Sequence, residues 1–163
     1  MRLVRGARPR GLGVLGGIIN PAVDALLEQA IHEHAPDLVH IQHTLQLSAR
    51  LTSIGIQAGA AVAASVHDYW PICQRIDLRR AGGDGETCHG PRAGVRCAMC
   101  VSHGQTGSLA TPLKAAARLG PYLLRTQVVQ GCYARAHRIT CPAADVVRRL
   151  ANQGFDAARM VVV

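Results

Sequence analysis

The chain has 163 residues, enough for one domain with a single core, and its 48 % hydrophobic and 17 % charged composition excludes a disordered polymer. A net charge of +8 would suit a polyanionic partner, but Arg2, Arg5, Arg8 and Arg10 place four of the eighteen basic residues in the first ten positions. Elsewhere basic and aromatic residues are not interleaved, which argues against a nucleic-acid surface. With five aromatic residues in all, the core has to be built mainly from Ala, Val, Leu and Ile.

Residues 1–19 form a basic segment whose apolar run, LGVLGGII, is broken by glycine and falls short of a membrane span. Lacking a clear cleavage site, it reads as no secretion signal, so the chain is expected to be cytoplasmic, with peripheral membrane contact at most. Asn20-Pro21 predicts a helix start: Asn caps, and Pro fits the first helical position, where its missing N–H is not needed. Val23, Leu26, Leu27, Ala30 and Ile31 continue on one face until Ala35-Pro36. DLVHIQH (37–43) predicts a strand buried on both faces, within which His40 reads as a core histidine. A second helix fits Leu47, Leu51, Ile54 and Ala58, with Gly59 as its stop. AAVAASV (60–66) predicts the next strand, on its short length and flanks.

Residues 71–108 are rich in Gly turns and poor in periodic apolar residues, and read as an insertion without a core of its own. Helical patterning returns at about 109–119, breaks at Gly120-Pro121, and resumes through Leu124, Val128 and Cys132. HRITC (137–141) predicts a strand, Pro142 to Asn152 a helix, and RMVVV (159–163) a last strand. This alternation predicts an α/β fold, a Rossmann-like parallel sheet with helices on both faces. In such sheets ligands sit at the carboxyl ends of the strands, where His43, His67 and Pro142 fall.

Four of the six cysteines, Cys73, Cys88, Cys97 and Cys100, lie in the insertion with spacing C-x14-C-x8-C-x2-C. Four thiolates suit a tetrahedral structural Zn²⁺, and a metal would replace the apolar core the insertion lacks. An iron–sulfur cluster, disulfides and unligated thiols are the other readings, and His89 or His103 could stand in for one cysteine. Cys132 and Cys141 fall on predicted core faces and read as buried free thiols.

PDLVHIQH, SVHDYWPICQR, the C…GP…C-x-x-C loop and AHRITCPAADVVRRLANQGFDAARMVVV together resemble the N-terminal lobe of family 4 retaining glycosyltransferases. The resemblance covers about residues 20–163, and HDYW with its trailing cysteines is its most specific part. It implies one half of a GT-B architecture, with residues 20–163 as the acceptor-side domain. A C-terminal lobe would bind the nucleotide-diphosphate sugar. The first strand, its Gly-rich turn and that second lobe have no counterpart here, so the chain is expected to be a fragment without independent turnover. His67 matches the family's cleft histidine, which hydrogen-bonds the donor sugar, and Asp68 is expected to orient the loop or His67. His43, Tyr69 and Trp70 are the acceptor-binding candidates, the two aromatics by stacking on a sugar. Pro142-Ala143 stands where the family has Pro-Ser, which removes a hydroxyl. A glycan or lipid-linked acceptor at a membrane is implied, with the basic segment against anionic lipid. Two alternatives lie outside that class: a zinc-stabilised module holding nucleic acid or another polyanion, and a non-functional remnant.

Overall fold

The computed structural model describes residues 18–81, 86–91, 94–106 and 111–163. The basic segment therefore lies outside the described residues except for its end. There Ile18 is fully buried, and its carbonyl accepts from the Ala49 amide at 2.7 Å. The core thus begins two residues before Asn20.

The elements in chain order are α1 (Pro21–His34), β1 (Leu38–Ile41), α2 (Leu51–Gln57), β2 (Ala61–Ser65), α3 (Val95–Thr106), α4 (Thr111–Arg135), β3 (Arg138–Cys141), α5 (Ala144–Ala151) and β4 (Met160–Val162). Asn20 caps α1 as its sequence implies, its side chain accepting from the Val23 amide at 3.4 Å. Ala35 closes the helix in a left-handed conformation. The four strands are all parallel and run in the order β1-β2-β3-β4.

That order has a consequence for the layers. When each strand pairs with its sequence neighbour, right-handed crossovers put the connecting helices on one face. Val39, Ile41, Val62, Ala64, Ile139, Cys141 and Met160 point to that covered face and join the buried clusters. Residues of opposite parity, Leu38, His40, Ala63, Thr140 and Val161, are partly or largely exposed. A second helical layer is therefore not present among the described residues. β1 is an edge strand, half exposed instead of buried on both sides, and His40 lies outside the core.

Two further expectations change. Gly120-Pro121 does not end a helix: α4 continues through Pro121 for 25 residues. A mid-helix proline forfeits one backbone hydrogen bond and costs about 3 kcal/mol. Packing offsets it, because Tyr122 is buried against Cys97 and Ala98 of α3. The two helices meet closely here. A Cβ on Gly94, at φ +92°, would lie 2.7 Å from the Tyr122 backbone, so only glycine fits. The Cys-rich stretch is likewise not coreless. Ile72, Cys73 and Leu78 join the main core, and α3 supplies a helix carrying Cys97 and Cys100. Helix α2 starts at Leu51, four residues after the exposed Leu47, and Gly55 lets it approach the sheet. A Cβ there would lie 2.8 Å from Val62 Cγ2.

Four of the five aromatics, Trp70, Tyr122, Tyr133 and Phe155, are buried. Burial pushes the Tyr133 hydroxyl up to about 12 from an ordinary value of 10.0. Its folded value is raised, so the associated stability is complete below pH 10 and is lost as pH rises toward 12. The loss is on the order of 2–3 kcal/mol. Alkaline unfolding followed by circular dichroism should show this limb, and Tyr133→Phe should shift it upward; an unchanged midpoint would sink the assignment.

Candidate functional site

The carboxyl ends of β1 and β2 bring His43 and His67 together. Both follow their strands by two residues, so parallel pairing in register sets them side by side. Their rings stack with centroids 6.2 Å apart and planes 10° from parallel. His43 Nδ1 accepts the Leu45 backbone N–H at 2.8 Å, which places the proton of the neutral ring on Nε2. That Nε2–H donates to Asp68 Oδ2 at 3.2 Å. The other Asp68 oxygen, Oδ1, accepts the Trp70 amide at 2.7 Å, closing the turn of HDYW. Asp68 therefore orients His43 and the loop, and its partner is not His67. Both nitrogens of His43 are engaged within the protein.

His67 is exposed and has a different role in the network. Its Nε2 lies 3.2 Å from Gln42 Oε1, and Gln42 Nε2 lies 3.2 Å from His40 Nδ1. His40 Nε2 meets Ser65 Oγ at 2.8 Å, and Ser65 Oγ meets Thr140 Oγ1 at 2.7 Å. The donor order that satisfies every member runs from His67 through Gln42, His40 and Ser65 to Thr140. Such chains polarise cooperatively. This row crosses β1, β2 and β3 on the sheet's open side and leaves His67 Nδ1 as a lone pair with no donor among the described residues. Sequence reasoning did not single out Gln42, Ser65 or Thr140 for function. HIQH carried the only signal, since its alternation puts Gln42 beside His40 at a strand end.

Trp70 takes a structural place. It is 2 % exposed, so its ring offers no face to a sugar, which corrects the stacking expectation. Its indole N–H donates to Thr44 Oγ1 at 3.0 Å, and Thr44 in turn donates to Tyr133 Oη at 3.2 Å. Arg125 of α4 covers the ring at 4.2 Å and donates to the Trp70 carbonyl at 2.7 Å. The loop is thus bolted to α4 by its aromatic residue, and HDY alone reaches the surface. Trp70→Phe removes one buried hydrogen bond and leaves a small void, a loss of about 1–3 kcal/mol. Thermal unfolding should register that loss while ligand affinity at His67 is unchanged. The reverse pattern would return Trp70 to the binding surface.

Tyr69 is half-buried and faces α5. Its hydroxyl donates to Asp145 Oδ2 at 3.2 Å, and the Arg149 guanidinium stands 5.8 Å from its ring centre. Desolvation raises the Tyr69 hydroxyl, with Asp145 acting in the same direction, so it stays a neutral donor. Hydrogen bonds from Arg149 and Arg148 hold the Asp145 carboxyl below its ordinary range. Ala143 precedes α5 in an extended conformation and gives that helix no side-chain cap.

A strand-end histidine after β2, a carboxylate-held histidine after β1 and an uncapped helix after β3 all open on one edge of a parallel sheet. The sequence matches the family described as Glycosyltransferase Family 4 over residues 1–163. The chain belongs to glycosyltransferase family 4. No curated protein and no solved structure gives a match. In this family 4 domain the four-stranded parallel sheet and its five helices form the Rossmann-like arrangement that positions the edge just described. Among the described residues no helix is long and apolar enough to cross a membrane.

The six cysteines are all free thiols. Cys132 and Cys141 are buried under the sheet, Cys132 Sγ lying 2.8 Å from Thr52 Oγ1. Cys73, Cys88, Cys97 and Cys100 instead line one small space between the loop after β2 and α3. His89 and His103 do not line it. They belong to an adjoining cavity of about 430 Å³.

Proposed function

We propose that this chain is the acceptor-side lobe of a retaining hexosyltransferase. It would move a sugar from a nucleotide-diphosphate sugar to a glycan or lipid-linked acceptor. One observation carries the reading: in a family 4 chain, His67 stands exposed at the end of β2 with its neutral tautomer set through Gln42 and its Nδ1 open. A neutral imidazole accepts from a sugar hydroxyl without bringing fixed charge to the reacting centre. His43 and Asp68 hold the neighbouring wall, and Asp68 acts by positioning His43. The diphosphate would be bound by a partner C-terminal lobe. The Arg-rich segment 1–19 is the proposed contact with anionic lipid at the cytoplasmic face of a membrane.

The test is to incubate the protein as its host makes it with a panel of nucleotide-diphosphate sugars and a host glycolipid extract. Release of nucleoside diphosphate with one sugar added to an extract component, its anomeric configuration kept by proton NMR, is the expected result. Absence of transfer from every donor, by protein that unfolds cooperatively, would overturn the proposal.

A further inference from the structure

Arg125 raises a problem of charge. It is 1 % exposed, and its Nε and Nη1 make no hydrogen bond among the described residues. Only Nη2 is engaged, on the Trp70 carbonyl. No carboxylate pairs with it among the described residues. The Trp70 carbonyl it holds lies in the turn that Cys73 closes, where the Cys73 amide donates to the Tyr69 carbonyl at 2.7 Å, and Tyr122, three residues before Arg125 on α4, packs against Cys97. A buried guanidinium without a counter-ion is strongly unfavourable. Something negative belongs beside it.

The four thiols of the Cys-rich stretch stand on that side. Cys73, Cys88, Cys97 and Cys100 line one space of about 20 Å³, room for a single water-sized sphere. Arg75, Arg79 and Arg96 line it too, and among the described residues no Asp or Glu does. One backbone amide points at a sulfur: Ala81 N–H donates to Cys100 Sγ at 3.2 Å. Ile76 and Leu78 adopt left-handed φ values of 64° and 54° in the turn that follows Cys73. For a β-branched residue that conformation is a strain of roughly 1–3 kcal/mol and needs a compensating interaction. Cys97 lies in the first turn of α3 and is buried.

We propose that Cys73, Cys88, Cys97 and Cys100 bind one Zn²⁺, and that the resulting tetrathiolate is the counter-ion of the buried Arg125. Four thiols each release a proton as the Zn–S bonds form, so the centre keeps two negative charges after the metal's own are counted. Arg125 then relays metal occupancy to the HDYW loop through its contacts with the Trp70 ring and carbonyl. As the chain stands, no three His, Cys, Asp or Glu side chains among the described residues are disposed around an ion, so binding requires the thiols to turn into the space they line. The inference does not depend on the sugar-transfer reading.

The test uses protein purified under reducing conditions without chelator. Elemental analysis should find about one zinc per chain. Cys97→Ser and Cys100→Ser should lower the content by at least about tenfold, and Cys141→Ser, at a buried thiol under the sheet, should leave it intact. Trp70 is the only tryptophan, so chelation should change the intrinsic emission and added Zn²⁺ should restore it. Should the serine variants fail to fold, Co²⁺ titrated into the reduced wild-type apoprotein must develop the visible bands of a tetrahedral thiolate site. Metal-free protein whose Trp70 emission ignores Zn²⁺ would overturn the proposal, as would an iron chromophore or Co²⁺ spectra without thiolate bands.

Discussion

Replacing His67 with alanine is expected to lower kcat/KM for sugar transfer by about 10²- to 10⁴-fold, the range for removing a positioned proton-handling group. The side chain is exposed, and among the described residues its only hydrogen bond is to Gln42 Oε1. Stability should therefore change by no more than about 0.5 kcal/mol. The pairing of a large kinetic loss with an unchanged melting curve distinguishes a group that touches substrate from one that holds the fold. Asp68→Asn probes the other wall. The amide can still accept the Trp70 N–H, but it cannot supply the negative charge opposite His43 Nε2. A smaller kinetic loss is expected there, because Asp68 acts through His43. Transfer at the wild-type rate by the His67 variant would remove this histidine from the reaction.

Arg125→Met is expected to act in opposite directions with and without zinc. In the metal-bound chain it removes the cation beside a dianionic centre, a loss of about 3–5 kcal/mol for breaking a buried charge pair. In the metal-free chain it removes a buried charge with no carboxylate partner among the described residues, and an apolar replacement of similar volume is neutral or stabilising by about 1–4 kcal/mol. Urea unfolding of both proteins, with zinc and with chelator, gives the four numbers needed. Equal destabilisation in both states would mean that Arg125 serves only the Trp70 ring and carbonyl, which it contacts either way.

Local signals read well where the chain's own backbone chemistry decides the outcome. Asn20-Pro21 starts α1, Gly59 and Gly154 follow their helices at positive φ, and HDYW sits at a strand end. Signals failed where two distant segments negotiate. Proline at 121 normally stops a helix, yet α3 packs on α4 at that point and the helix runs through. The Gly-rich cysteine stretch shows little periodicity, yet its few apolar residues enter a core that other elements had already built. Trp70 was a candidate for stacking on a sugar because it belongs to the HDYW stretch that carries the family resemblance. Its place in the core depends on Thr44 and Arg125, 26 and 55 positions away.

By itself, the sequence determined the parallel α/β class, the strand ends that carry His43 and His67, and the grouping of four cysteines, because periodicity and spacing are properties of neighbouring residues. Only the tertiary structure decided which imidazole nitrogen is free, which face of the sheet is covered, and what the thiols stand beside. Those depend on register between strands and on the approach of α4 to the loop after β2. Arg125 illustrates the division: as one arginine among many it is unremarked in the sequence, and burial against Trp70, with no carboxylate partner among the described residues, makes it the residue that asks for a counter-ion.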